Sequence, residues 1–175
     1  MYPVIRIVKE LLLYGKSHQQ SLMDVYESNH ICWPWDLDLW MELNNGRTLT
    51  IYDLGRVPLI RRVGLHSLVK ENGWRFSVAG SVIRYRRRVK VFDKLKMRSR
   101  IVSWDERFLY LEQSMWRGSE ATSQAVFRMA ISNKKGLIPL RKVIEAFGGQ
   151  LEKPDMPEWI EDWISSEFKR PWPPN

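Results

Sequence analysis

Asp36 and Asp38 stand in an apolar stretch, Trp33-Pro34-Trp35-Asp36-Leu37-Asp38-Leu39-Trp40-Met41. A carboxylate among apolar side chains is costly to ionise, so its proton affinity rises. That is how a carboxylate becomes a general base or a nucleophile near neutral pH. Asn44-Asn45-Gly46 follows and opens a helical pattern. The first turn of a helix carries backbone amides with no internal acceptor, and these can hold a developing oxyanion. Asp38, seven residues ahead of Asn45, and that helix start together offer both halves of an acyl-transfer site. Spacing alone is a weak signal, because Asp and Asn ahead of a helix more often serve as caps and turns.

Other chemistry is sparse. There is no Gly-rich phosphate loop, no G-x-S-x-G elbow and no paired-Cys zinc spacing. His18, His30 and His66 show no ligand spacing, so no metal site is expected. His30 and Cys32 would share one face of a strand, roughly 6–7 Å apart at the backbone. With no third orienting group, a partly buried His beside a small apolar Cys explains them better than a catalytic dyad.

A chain of 175 residues suits one domain with a terminal appendage. The single cysteine rules out an internal disulfide framework and fits a reducing compartment. No apolar run approaches the ~20 residues of a membrane span. The apolar N-terminal stretch is interrupted by Arg6, Lys9 and Glu10 and lacks a secretory pattern, so a cytoplasmic location is expected. The net charge of +8 and an isoelectric point near 9.7 invite nucleic acid, an anionic membrane surface or a phosphorylated ligand.

The elements that must position these residues follow from periodicity. Val4, Ile7, Val8, Leu11 and Leu12 predict an amphipathic helix over about residues 3–15, packed on the domain or on a partner subunit, with docking on a membrane surface as the alternative. Residues 24–33 read as a strand ending at Pro34. A helix is expected from Asn45 to Val63, with Leu49, Tyr52, Leu59, Ile60 and Val63 on its apolar face, Gly64 as its stop and a kink at Pro58. After Gly73 the period becomes two. The alternation puts Arg84, Arg86 and Arg88 on one face of a strand over 81–91, with a turn at Asp93-Lys94. Strands over 95–101, 108–116 and 121–131 complete a four-stranded antiparallel meander. Short helices fit residues 139–147 and 157–168. A long helix followed by a meander buries its apolar stripe on the sheet, giving an α+β chain with a curved antiparallel sheet around that helix.

Three segments carry a family resemblance: Trp33-Pro34-Trp35-Asp36-Leu37-Asp38, Asn44-Asn45-Gly46-Arg47, and Tyr52-Asp53-Leu54-Gly55-Arg56. Together with Ile83–Arg87, Ser103–Glu106 and Tyr110-Leu111-Glu112, they resemble the hot-dog-fold thioesterases of the 4-hydroxybenzoyl-CoA thioesterase branch. The likeness implies a hot-dog domain over residues 24–148, an N-terminal helical extension over 1–20 and a Trp/Pro-rich tail over 149–175. It implies hydrolysis of an acyl-CoA thioester without metal or separate cofactor, in a homodimer or dimer of dimers with sites at subunit interfaces. By position Asp38 matches the catalytic carboxylate, and Asn45, with Gly46 beside it, matches the helix start that polarises the thioester carbonyl. Arg84, Arg86 and Arg88 are candidates for the coenzyme A phosphates by type and face, although a solvated strand face also accounts for them. Glu42 joins Asp38, Asn45 and Gly46 as a catalytic candidate by position, but the chain departs from the family there, where a His is common, and at Trp40, where a smaller polar residue is frequent. Glu42 favours the alternative of a domain that binds acyl-CoA without hydrolysing it. The basic run Arg84–Arg100 would also suit nucleic acid, a partner not expected here.

Overall fold

In the computed structural model, which describes residues 3–14, 21–149 and 151–174, the segment after Asn44 forms one helix, α2 (Asn45–Arg62), continuous through Pro58. Asn44 caps it, its side-chain oxygen accepting the Arg47 amide at 3.1 Å. The helix is stopped by Gly64 at φ +81°, a left-handed conformation that suits glycine. A short helix α3 (Leu65–Glu71) then turns the chain toward the sheet. Burial on α2 is wider than one stripe: Thr48, Ile51, Leu54, Gly55 and Arg56 are buried with Tyr52, Leu59 and Ile60. Leu49, expected on the apolar face, is exposed instead. The N-terminal helix α1 (Val4–Tyr14) packs on α2, burying Glu10 and half-burying Arg6, Ile7 and Leu11, while Val4, Ile5, Val8 and Leu12 stay exposed.

The sheet comprises β1 (Tyr26–Ile31), β2 (Arg75–Tyr85), β3 (Lys94–Trp104), β4 (Phe108–Arg117), β5 (Glu120–Asn133) and a short β6 (Gly136–Leu137). Every pairing is antiparallel, in the order β1-β3-β4-β5-β2, with β6 on β5. The expected four-stranded meander is therefore corrected. Only β3, β4 and β5 follow one another; β2 pairs with β5, and β3 pairs on its other side with β1. The turn at Asp93-Lys94 belongs to a crossing connection, not a hairpin. That connection is held by the pre-helix segment: Cys32 N donates to Asp93 O (3.1 Å), Phe92 N to Cys32 O (2.7 Å) and Leu43 N to Val89 O (2.8 Å).

Alternation along the strands divides the core in two. Leu109, Leu111, Met115, Ala125, Phe127 and Met129 join Ile51, Leu54 and Leu59 of α2. Phe108, Tyr110, Val126 and Ala130 point to the other face and meet Ile160 of α5 (Glu158–Lys169). The fourth helix, α4 (Leu140–Ala146), follows β6 and buries Leu140 and Val143. Gly55 lets α2 approach closely, because a Cβ there would collide with Met97 Sδ and lie 2.7 Å from Ser99 Oγ.

Candidate functional site

Residues 37–43 form a tight hairpin-like loop. Leu37 and Leu43 make an isolated antiparallel bridge, and Asp38 N donates to Glu42 O at 2.8 Å. Leu39, Trp40 and Met41 are its exposed tip. Met41 sits at φ +60°, which costs a non-glycine residue about 1–2 kcal/mol. The loop holds Asp38 in place: its Oδ1 accepts the amides of Trp40 (2.9 Å) and Glu42 (3.3 Å). Oδ2 has no partner among the described residues.

Asp36 has a different role from its neighbour. It is fully buried, yet its surroundings are not apolar. Arg6 Nη1 donates to Oδ2 at 2.8 Å, and Arg47 donates Nε and Nη2 to Oδ1 at 3.1 and 2.7 Å. Trp33 N adds a bond to Oδ2 at 3.1 Å, and the Asp36 carbonyl accepts the Asn44 amide at 2.9 Å. Asp36 thus ties α1, the loop and the start of α2 together. The expectation of two poised carboxylates is corrected to one anchored and one presented. Arg47 stands next to the Asn-Asn-Gly signal and was within reach of sequence reasoning. Arg6, thirty residues from Asp36, gave no local sign of its partner.

At the start of α2 the amides of Asn45 and Gly46 have no acceptor among the described residues, as the first turn of a helix requires. Asn45 lines a cleft of about 210 Å³ whose walls also include Glu42, Thr48, Tyr85, Val89, Ser123 and the Arg86–Arg88 segment; Gly46 is not among its wall residues. Tyr85 reaches over the helix start and donates its hydroxyl to Asn45 O at 3.3 Å. Glu42 turns its carboxylate to Arg88, Oε1 to Nε 3.1 Å. Asp38 stands on the loop beside the cleft and is not among its wall residues.

The three arginines do not share a strand face. β2 ends at Tyr85, because the amides of Arg86 and Arg87 both turn to Thr122 O (2.8 and 3.1 Å) and break the alternation. Arg84 lies on the opposite side of the sheet from α2, in a hollow with Gln124, Trp159 and Trp163. Arg86 and Arg88 line the cleft at the helix start.

His30 and Cys32 do not form a dyad. His30 Nε2 pairs with Ser28 Oγ at 2.8 Å, and burial, with Arg6 and Lys9 adding to it, pushes the imidazole down to about 3. Burial, then Asp36, pushes the Cys32 thiol up to about 11, so it carries no thiolate at neutral pH. His18 lies outside the described residues. Among the described residues no group of three or more His, Cys, Asp and Glu is placed to hold a metal ion. Trp40 is 78% exposed, and Trp35 is exposed with Trp33 stacked on it at 5.3 Å.

Comparison with known proteins places this arrangement. The model of the thioesterase-like superfamily matches residues 32–164, which include the loop, α2 and every strand except β1. The chain belongs to the thioesterase-like superfamily. It is 30% identical over 158 residues to Protein THEM6 of Xenopus laevis, covering 90% of this chain and 70% of that one. Among solved structures it is similar to YbaW of Escherichia coli, described as a probable thioesterase. The TM-score is 0.65 at 17% identity, over 72% of this chain and 98% of that one. It is also similar to a 1,4-dihydroxy-2-naphthoyl-CoA thioesterase of Synechocystis, with a TM-score of 0.60 at 9% identity, over 75% and 100% of the two chains. At such identities the structural likeness speaks for the fold alone. The fold is the hot-dog: an antiparallel curled sheet with a long helix against one face. Among the described residues no helix is long and apolar enough to cross a membrane.

Proposed function

We propose that this chain hydrolyses an acyl-CoA thioester to the free acid and coenzyme A, in the manner of the 4-hydroxybenzoyl-CoA thioesterase branch. The observation that carries the reading is a presented Asp38 carboxylate on the loop that leads into a helix start whose Asn45 and Gly46 amides have no acceptor among the described residues. The amides accept the thioester oxygen and stabilise the negative charge that develops on it. Asp38 Oδ2 either takes a proton from the water that attacks the carbonyl or attacks it directly to give an anhydride that water then hydrolyses; in both cases the C–S bond breaks and coenzyme A leaves as the thiolate, while Oδ1 stays bound to the loop amides. No metal is needed in this scheme. Arg86 beside the cleft supplies positive charge for the coenzyme A phosphates. β2 is an edge strand with free backbone groups along one side, and pairing it with the β2 of a second copy would make a homodimer.

A thiol-release assay against short, long and aromatic acyl-CoAs tests the proposal, with Asp38→Asn as the control. Turnover that survives unchanged in Asp38→Asn overturns the assignment. One observation favours a second reading, binding without hydrolysis: Glu42, at the position where the family commonly has His, is held by Arg88. That reading expects saturable binding of acyl-CoA with no thiol released.

A further inference from the structure

The sheet face turned away from α2 is only partly covered. Ile160 and Trp163 of the C-terminal segment pack on Tyr110 and Val126. Toward the Tyr85 end of β2 the same face is polar, with Arg84 opposite Gln124 on β5. Between the two halves lies a hollow of about 530 Å³ walled by Arg84, Gln124, Trp159 and Trp163. A second hollow of about 410 Å³, which holds Arg98 and Arg100, meets it at Gln124.

The uncommitted groups of this trough are of three kinds. Arg84 is exposed and has no ion pair among the described residues. Trp159 leaves 45% of its surface open. Gln124 donates its amide nitrogen to Glu112 Oε1 at 2.5 Å, and its own oxygen has no donor among the described residues. A free guanidinium suits a phosphate, a free indole face suits a base, and an open acceptor suits an exocyclic amine. Arg86, two residues beyond Arg84 and just past the end of β2, lines the cleft at the start of α2. The second hollow shares Ser123 with that cleft, so the trough and the cleft adjoin near the end of β2.

We infer that this trough holds the adenine nucleotide end of coenzyme A, with Arg84 on a phosphate and Trp159 against the base. The inference rests on the acyl-CoA reading and gives the C-terminal helix a part in it. A ligand laid this way runs from the trough, past Arg86, to the amides of Asn45 and Gly46.

Titration calorimetry of the full chain with adenosine 3′,5′-bisphosphate tests it. The nucleotide is expected to bind the unmodified protein. Trp159→Ala and Arg84→Gln should each weaken it about tenfold, while Trp159→Phe, which keeps a ring to stack on, should retain most of the affinity. Circular dichroism checks that each variant is folded. No binding to the unmodified protein, or equal affinity in Trp159→Ala and Arg84→Gln, overturns the inference. Thiol release is scored separately. Hydrolysis without nucleotide binding sinks the trough and leaves the hydrolase reading standing; nucleotide binding without hydrolysis does the reverse.

Discussion

Asp38 and Glu42 are joined twice across the loop: the Asp38 amide donates to the Glu42 carbonyl at 2.8 Å, and the Glu42 amide donates to Asp38 Oδ1 at 3.3 Å. One carboxylate oxygen is thus fixed to the backbone and the other is left for chemistry. Glu42 sends its own side chain away, to Arg88. The two acids are linked by backbone and separated by side chain.

Asp38→Asn should lower thioester turnover by about 10²–10⁴-fold, the usual worth of a positioned acid–base group. Stability should barely change, because the amide oxygen still accepts from Trp40 and Glu42. Steady-state kinetics beside a melting curve reads both.

Asp36→Asn should act in the opposite sense. It leaves the Arg6 and Arg47 guanidinium groups facing a neutral group inside the protein. Breaking a buried pair from one side costs about 3–5 kcal/mol. Urea denaturation checks this, and a loss below 1 kcal/mol would show that Asp36 does not anchor the loop.

Gly55→Ala should destabilise by about 1–3 kcal/mol, since the added Cβ meets Met97 and Ser99 under the centre of α2. In a chain of this size that lowers the melting temperature by roughly 2–4 °C per kcal/mol. A companion Met97→Ala substitution, which makes room, should recover part of the loss relative to Met97→Ala alone.

Stability should fall as pH is lowered from about 6.5, and His30 is the cause. Its folded value of about 3 lies below the unfolded value of 6.5, so between them the unfolded chain binds more protons. The slope from His30 alone is about 1.4 kcal/mol per pH unit. Glu10, 3.9 Å from His30 Nδ1, is raised by burial and works the other way, losing stability as pH climbs through its folded value. Chemical denaturation of His30→Gln across pH 4–7 should show a flatter profile than the parent chain.

Much of the site's frame was legible in the chain itself. The Asn44 cap, the helix over Asn45–Arg62, the Gly64 stop and the strands after Gly73 follow from local spacing and turn chemistry. Asp38 ahead of that helix could be found the same way. Leu49 could not be placed, because its exposure depends on where α1 and the sheet leave a gap around α2.

What the sequence determined by itself, then, is a helix with an open start, a carboxylate seven residues ahead of it and strands enough to wrap it. Only the tertiary structure decided that Asp36 is locked by Arg6 from α1, that β2 pairs with β5 across the sheet, and that Arg84 and Arg86 fall on different sides of it. Periodicity reports the environment of a residue relative to its near neighbours. Each of these three outcomes depends on partners about thirty or more residues away, chosen by the packing of the whole chain.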